Sequence, residues 1–563
     1  MEDIVVIGAG IAGLACARKL HDAGLRVLLV EATQHVGGRI RGVKEREIAL
    51  CPMSVHSEFV QLHIPPRQQR GSAPNAGELM GEGDYTFETG AEFIHGEKTI
   101  LYELSRLHGT TARKLFTWSQ GDGGPSEEPM PDGGIGYYWL GAGDERKLLR
   151  WDDPDPEFVA LHEALWAMGE EEGGKLAADG RYAESVRDYL AKVGTPPRMM
   201  ALADAGYANT AGFSVDEISL GHTIDCEAHW TANDGEHDYR TRMSDIAAAM
   251  AQGLRVVTSA PVQSVRRGGG RGGVEVELRP SGAQGSSARG KVLRARKVVL
   301  AVAVTVLQHD DITFSPPLPA QKLDAANRIE LSPGCKVLLK FSARFWPADC
   351  HGALVCDCLR LCRSRSVLKP FSHPFIAPPR ARFCTGIICS GCFVPEFWMD
   401  TVRGVGRDMH ADGGCSAEDA GEAAGGAPYH YVTAFAMGLW AQRVCALPIA
   451  EAVGKILAQL DDVFCSGVSA GLAADPGARP AEVYLGAILV DWAKEPYARG
   501  AYSCPTVTEP PGARAKLAEP VADTLFFAGE ATNQSSMMTA HGALESGLRA
   551  AEEVMTSMKR SRV

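Results

Sequence analysis

The chain has 563 residues, 45% of them hydrophobic, enough to bury several cores and to set two to four domain-sized units as the expectation. A formal charge of −12 argues against a protein that holds nucleic acid through phosphate contacts, and a mild acidic excess suits a cationic ligand. No run of about 20 apolar residues occurs, so no membrane helix is expected. A strand beginning at Ile4 leaves no space for a secretory leader, so an intracellular, soluble protein is expected. Its fifteen cysteines are then expected to stay thiols. Seven fall between Cys350 and Cys392 (Cys350, Cys356, Cys358, Cys362, Cys384, Cys389 and Cys392), but without paired CxxC spacing, so no metal is expected.

In chain order, the apolar run Ile4-Val5-Val6-Ile7 leads into Gly8-Ala9-Gly10-Ile11-Ala12-Gly13 and then into a segment with small and apolar residues at helical spacing. This predicts strand, tight turn and helix. Gly8 permits the turn, Gly10 lets the backbone approach a pyrophosphate, and Gly13 lets helix and strand pack closely, with the helix N-terminus facing the phosphates. A second buried strand over 25–31 ends in Glu31, eighteen residues past Gly13, where an acid can bind ribose hydroxyls and disfavours a 2′-phosphate. Next come Gly37, Gly38 and Arg39, a second glycine pair whose arginine fork matches phosphate oxygens.

Residues 42–84 carry a Pro-, Gly- and Gln-rich stretch expected to be a surface loop, and 121–134 and 404–428 read the same way. Amphipathic helices are predicted over 156–170 and 185–205, and a Pro-bounded one over 316–329. Strands are predicted over 254–265, 292–302 and 525–529. In "SPGCKVLLKFSARFWP", residues 332–347, Cys335, Val337, Leu339 and Phe341 alternate with Lys336, Leu338 and Lys340. Taken alone, that alternation predicts a half-solvated strand with two surface lysines.

Five stretches together resemble the flavin amine oxidase superfamily: the VGGR at 36–39, "ETGAEFIHG" at 88–96, "APVQSV" at 260–265, "DWAKEPYARGAYSCP" at 491–505, and "FFAGEATN" at 526–533 followed by "HGALESGLRAA". The resemblance spans residues 4–550 and is closest to the polyamine oxidases and the catalytic domain of lysine-specific histone demethylases. It implies an α/β fold in which a Rossmann-like FAD-binding domain (1–100, 236–320 and 480–563) is interleaved with an α+β substrate-binding domain (101–235 and 321–479), with 42–84 and 404–428 as flexible insertions. Gly8, Gly10, Gly13, Glu31, Gly38, Arg39, Val262, Trp492, Gly529 and Glu530 would then hold the cofactor, the adenosine half at the first glycine loop and the ribityl and flavin half at the last. Because Ala501 stands where monoamine oxidases carry a flavin-linked cysteine, the FAD is expected to be non-covalent.

Four residues are implied at the reacting end. Lys336 corresponds to the family lysine that holds a water against flavin N5. Tyr502 corresponds to one aromatic wall, Thr539 stands where monoamine oxidases have a second tyrosine, and His95 lies in the GAEFIHG loop. The implied reaction is oxidation of an amine, a polyamine above all, through an imine to an aldehyde plus a smaller amine, with O2 reduced to hydrogen peroxide. An L-amino-acid oxidase would need an arginine clamp that the sequence does not place. A histone-lysine demethylase would add a histone-docking module and a long helical arm, and neither is legible. A non-catalytic FAD-binding protein is the remaining alternative. The expected partners are a small amine and O2, without nucleic acid or membrane, in a monomer or homodimer. Ser561-Arg562-Val563 is a variant of the peroxisomal address, so the location is expected to be cytoplasmic or peroxisomal.

Overall fold

The computed structural model describes residues 1–44, 60–63, 86–110, 113–114, 136–141, 146–150, 155–168, 170–171, 174–175, 180–229, 239–269, 273–280, 290–347, 350, 387–402, 429–466 and 478–560. The stretches 121–134 and 404–428, the residues 561–563, and Cys356, Cys358, Cys362 and Cys384 lie outside the described residues.

β-branched and apolar residues build the first sheet, which collects every strand predicted for the dinucleotide-binding part. Its order is Val256–Val257, Val27–Val30, Glu2–Ile7, Val292–Leu300, Gly273–Leu278, Val262–Gly269 and Thr313–Ser315, with Leu525–Phe527 also paired to Val292–Leu300. The inner strands run parallel, Ile7 lying beside Val30 and Leu300, and Leu300 beside Phe527. Burial on both faces explains their nearly continuous apolar sequence. Val5, Ile7, Leu28 and Val30 face one core, and Ile4, Val6, Val27 and Leu29 face another shared with the helices Ile11–Asp22, Met243–Ala251 and Ala540–Arg560. The shared register brings the carboxyl ends of four strands to one edge, where ligands of such sheets bind.

The second sheet has the order Val60–His63, Tyr484–Asp491, Gly334–Phe341, Tyr429–Met437, Glu396–Val402, Ile387–Ser390, Tyr137–Leu140 and Lys147–Arg150. Its lysine strand, Gly334–Phe341, is central and antiparallel to both neighbours. Cys335, Val337, Leu339 and Phe341 pack in the core that includes Ile456, Leu460 and Val463 of helix Ile449–Cys465. The predicted alternation holds, but the solvated face does not exist. Leu338 joins a second core with Phe87, Tyr431 and Trp492, and Lys336 and Lys340 are 5% and 2% exposed. Periodicity cannot distinguish water from a second packed layer.

Two further expectations are corrected. The segment 185–205 forms two helices, Val186–Lys192 and Pro197–Ala203, because Gly194 at φ +81° and the Pro196-Pro197 pair end one and start the next. The presumed loop 42–84 contains two strands. Gly42–Lys44 pairs with Thr86–Glu88, and Val60–His63 forms the edge of the second sheet against Tyr484–Asp491. The other helices stand close to prediction, at Pro156–Ala167 and Ala320–Arg328. No helix among the described residues is long and apolar enough to cross a membrane.

Candidate active site

A cavity of about 2220 Å³, open mouth included, runs from the carboxyl edge of the first sheet to one face of the second. Its first end is the glycine turn. Gly8 has φ +100°, and a Cβ there would lie 2.5 Å from the Ala301 carbonyl oxygen. At Gly13 a Cβ would meet the Gly8 oxygen at 1.9 Å, so strand and helix touch through backbone. Gly10 differs. It precedes helix Ile11–Asp22 and lines the cavity, and a Cβ there would have no protein atom closer than 4.0 Å. The turn therefore leaves free the space that a pyrophosphate needs, with Gly37 and Gly38 at φ +103° and +62° as its second wall. Glu31 closes this end. One carboxylate oxygen accepts from Ala9 N at 2.8 Å, the other from Thr33 N and Oγ1, both at 2.8 Å, leaving lone pairs for a sugar hydroxyl. Val262 contributes to the same wall.

Further along, the two ends of the chain meet. Arg39 Nη1 donates to Glu530 Oε1 and to the Ala501 carbonyl, each at 2.9 Å, and Ser503 Oγ donates to the other Glu530 oxygen at 2.6 Å. Arg514 holds Ser503 Oγ at 2.8 Å and is itself paired with Glu509. Gly529, at φ +133°, donates its N–H to Ser546 Oγ at 2.8 Å. Trp492 donates Nε1–H to the Thr89 carbonyl at 2.9 Å.

At the far end, Lys336 Nζ donates to the carbonyls of Glu88 and Gly90 at 3.0 and 2.8 Å and to Glu92 Oε2 at 2.8 Å. All three of its N–H bonds thus point at protein acceptors. A water held there would share one of them. Glu92 also pairs with Arg240, whose Nη1 reaches the Asp400 oxygens at 2.7 and 2.6 Å, giving a buried row of alternating charge. Burial alone would raise Glu92, but Arg240 and Lys336 hold its carboxyl below the ordinary range. Glu88 has no such pairing among the described residues; burial pushes it up to about 7 against two hydrogen bonds from Ser244. Tyr502 donates its hydroxyl to the Thr210 carbonyl at 2.5 Å, which fixes the ring at the cavity wall. Thr539 caps helix Ala540–Arg560, its Oγ1 accepting from Gly542 N at 3.0 Å, and its edge lines the cavity. His95 lies at the same end, 6.2 Å from His541 ring to ring.

Every residue that the sequence pointed to as cofactor- or substrate-facing, apart from Gly13, lines this cavity. Gly13 sits behind it, in the packing role described above.

A family model described as flavin containing amine oxidoreductase matches residues 75–555. The chain belongs to this family. A model of an NAD(P)-binding Rossmann-like domain matches residues 6–61, the first glycine turn and its flanking strands. As a flavin-containing amine oxidoreductase with this dinucleotide fold, the protein takes FAD, and the open space at Gly10 and the Arg39–Glu530 pair fit that group.

Among relatives of this amine oxidoreductase, lysine-specific histone demethylase 1B of Mus musculus is 24% identical over 98% of this chain and 53% of its own length. An L-amino-acid oxidase of Siganus canaliculatus is 25% identical over 62% of this chain and 58% of its own. The chain spans about half the length of the demethylase relative. Among solved structures, putrescine oxidase bound to putrescine superposes with a TM-score of 0.63 at 18% identity, covering 99% of both chains. Cyclohexylamine oxidase from Brevibacterium oxydans gives 0.60 at 19%, again over 99% of both.

Several site residues escaped sequence reasoning. Glu396, Trp398, Phe435 and Met437 line the reacting end from two neighbouring strands, and Asn209 and Thr210 approach from a helix. A signal existed in "PEFWMD", where Glu396, Trp398 and Asp400 alternate with the core residues Phe397 and Met399. Two carboxylates and an indole on one face of a buried strand are a costly arrangement without a partner.

Proposed function

We propose that this amine oxidoreductase oxidises a small amine, a polyamine or diamine above all, with O2 as electron acceptor. The observation that carries the reading is one continuous cavity in which the dinucleotide cradle opens onto Lys336 and Tyr502. Bound FAD would supply the two-electron chemistry that side chains lack. The amine loses a hydride from the carbon beside nitrogen and a proton from nitrogen, forming an imine. Water adds across that C=N bond and the C–N bond breaks, giving a carbonyl and, as the nitrogen leaving group, ammonia from a primary amine or a smaller amine from a substituted one. The two electrons, with two protons, end on O2 as hydrogen peroxide.

The chain's own residues prepare this reaction. Tyr502, Trp398, Phe435 and Met437 make the reacting end apolar, which disfavours a charged nitrogen there and so favours the free amine. The Tyr502 hydroxyl, committed to the Thr210 carbonyl, holds the ring against drift. Lys336 keeps a positive charge beside the reacting end, balanced from behind by Glu92. Ala501 offers no nucleophile, so the cofactor would be held non-covalently. The names of the fold neighbours, putrescine oxidase and cyclohexylamine oxidase, support a small-amine substrate. Demethylation of a lysine side chain is the second reading, supported by the demethylase relative aligned over 98% of the chain.

Peroxide release tests both. Purified yellow protein is offered spermine, spermidine, N-acetylated polyamines, simple monoamines, L-amino acids and a methyl-lysine peptide, beside a Lys336→Met variant. Turnover of a polyamine or diamine that falls at least ~100-fold in the variant is expected, the scale of one positioned charge at a reacting centre. Exclusive turnover of the peptide would replace the first reading with the second. No turnover on any amine would end both.

A further inference from the structure

Two cysteines that do not line the cavity stand at C-x-x-C spacing, Cys389-Ser390-Gly391-Cys392, where the strand Ile387–Ser390 of the second sheet turns towards Glu396–Val402. Gly391, at φ +67°, makes the turn. Cys389 N donates to the Pro395 carbonyl at 2.7 Å, which closes the connection into a hairpin loop. Gln459 of helix Ile449–Cys465 clasps that loop through both backbone groups of Val394, accepting from its N at 2.9 Å and donating to its carbonyl at 2.7 Å. The two thiols are therefore carried on backbone that is tied down on either side of them.

Residues three apart across such a turn lie within about 7 Å at Cα, inside the span that a disulfide bridges. Both side chains reach the same core: Cys389 is 1% exposed within it, and Cys392 packs against it while staying partly open to solvent. The thiols hydrogen-bond to each other, and Trp139, whose ring nitrogen can only donate, also reaches the Cys392 sulfur. These two bonds, the one with Cys389 first, hold the Cys392 thiol below its usual range against burial and the Asp462 carboxylate. Burial, and then the same contact with Cys392, push the Cys389 thiol well above it. A reachable thiol that ionises readily thus lies beside a buried one that stays protonated, the pairing of an attacking and a resolving cysteine.

We propose that Cys389 and Cys392 are a second reactive site, a dithiol that hydrogen peroxide converts to a reversible disulfide. The Cys392 thiolate attacks one peroxide oxygen: an S–O bond forms, the O–O bond breaks, and the departing hydroxide takes a proton to become water. Cys389 then gives up its proton and attacks the sulfenic sulfur, so that the S–S bond forms as the S–O bond breaks and a second water leaves. Two thiols lose two electrons and two protons, and one peroxide becomes two waters. The oxidant is the product of the amine oxidation proposed above, made at a cavity lined by Glu396 and Trp398 of the neighbouring strand. For that source the inference rests on the amine-oxidation reading, whereas the reactivity of the pair does not.

The test treats the FAD-loaded enzyme with one equivalent of hydrogen peroxide, alkylates the remaining thiols in denaturant and maps the peptides by mass. The peptide carrying Cys389 and Cys392 is expected to lose two hydrogens and escape alkylation at least ~10-fold faster than any other cysteine is oxidised, and dithiothreitol should restore both thiols. Cys389→Ser should stop at a sulfenic acid on Cys392 that dimedone traps, and Cys392→Ser should leave Cys389 reduced. Full alkylation of both cysteines in the peroxide-treated wild type, or a bridge that forms no faster than oxidation elsewhere, overturns the assignment, and this readout needs no variant. Oxidation of Cys389 that persists in Cys392→Ser overturns it as well. A second arm replaces the added peroxide with spermidine and O2. A bridge that forms there and is prevented by catalase supports supply by the enzyme's own reaction; a bridge with added peroxide alone would count against the amine-oxidation reading and leave the dithiol standing.

Discussion

Glu88, which ends a strand, and Glu92, four positions on in the loop that follows, show how environment assigns charge. Both are almost fully buried. Glu92 touches two cations and stays ionised, whereas the carboxylate of Glu88 is hydrogen-bonded, among the described residues, by neutral Ser244 donors alone and rises from 4.5 to about 7. Between these two values the folded protein holds a proton that the unfolded chain has released, so stability falls as pH rises through that window. Glu88 is therefore expected to favour folding fully only below 4.5 and to cost about 3 kcal/mol once the pH passes its folded value. Urea unfolding of wild type and Glu88→Gln at about pH 5 and about pH 8 checks this: the variant should gain on the wild type by roughly that amount at the higher pH. An unchanged difference would mean that Glu88 stays ionised in the fold.

Among elements, the contact between the first and last helices does most to bring the chain's ends together. In helix Ala540–Arg560, a Cβ at Gly547 would lie 2.1 Å from the Ala12 carbonyl oxygen of helix Ile11–Asp22. Both atoms belong to rigid helical backbone, so neither can yield locally. Gly547→Ala is expected to destabilise by about 1–3 kcal/mol, through separation of the helices, and to weaken FAD retention because Gly10 caps the first helix and Gly529 is hydrogen-bonded to Ser546 of the last. Thermal unfolding and the flavin-to-protein absorbance ratio would read the two effects; a fully flavinated, equally stable variant would show that the contact is soft. The helix around Asp204–Ala208 widens by one residue per turn, a π segment of the kind that often accompanies functional sites. It precedes Asn209 and Thr210, the residues that hold Glu396 and Tyr502.

At the scale of the whole molecule, the cavity is shared between two sheets, so a cofactor seated in it contacts both. Binding to the folded form alone should stabilise by about 2.7 kcal/mol when free FAD reaches about 100 times its dissociation constant. Apoprotein titrated with FAD should therefore show a concentration-dependent rise in melting temperature. A melting temperature indifferent to FAD would contradict a cofactor bound between the sheets.

The sequence by itself determined the nucleotide-binding half. There the function depends on backbone geometry within short stretches, and Gly8, Gly10, Gly13 and Glu31 write that geometry into adjacent residues. It also pointed to Lys336, Tyr502 and Glu530, because their motifs are local. It could not say that Lys336 and Lys340 are buried, since alternation records a face without recording what covers it, and only the layer of Phe87 and Trp492 decided that. Glu396 depended still more on tertiary structure: its distance from Lys336 is fixed by the register of three strands, two of them separated from the lysine by dozens of residues. Its hydrogen bond from Asn209 joins residues 187 positions apart in the chain. No local pattern carries such a contact, because the free energy that fixes it comes from sheet pairing and helix packing across the whole fold.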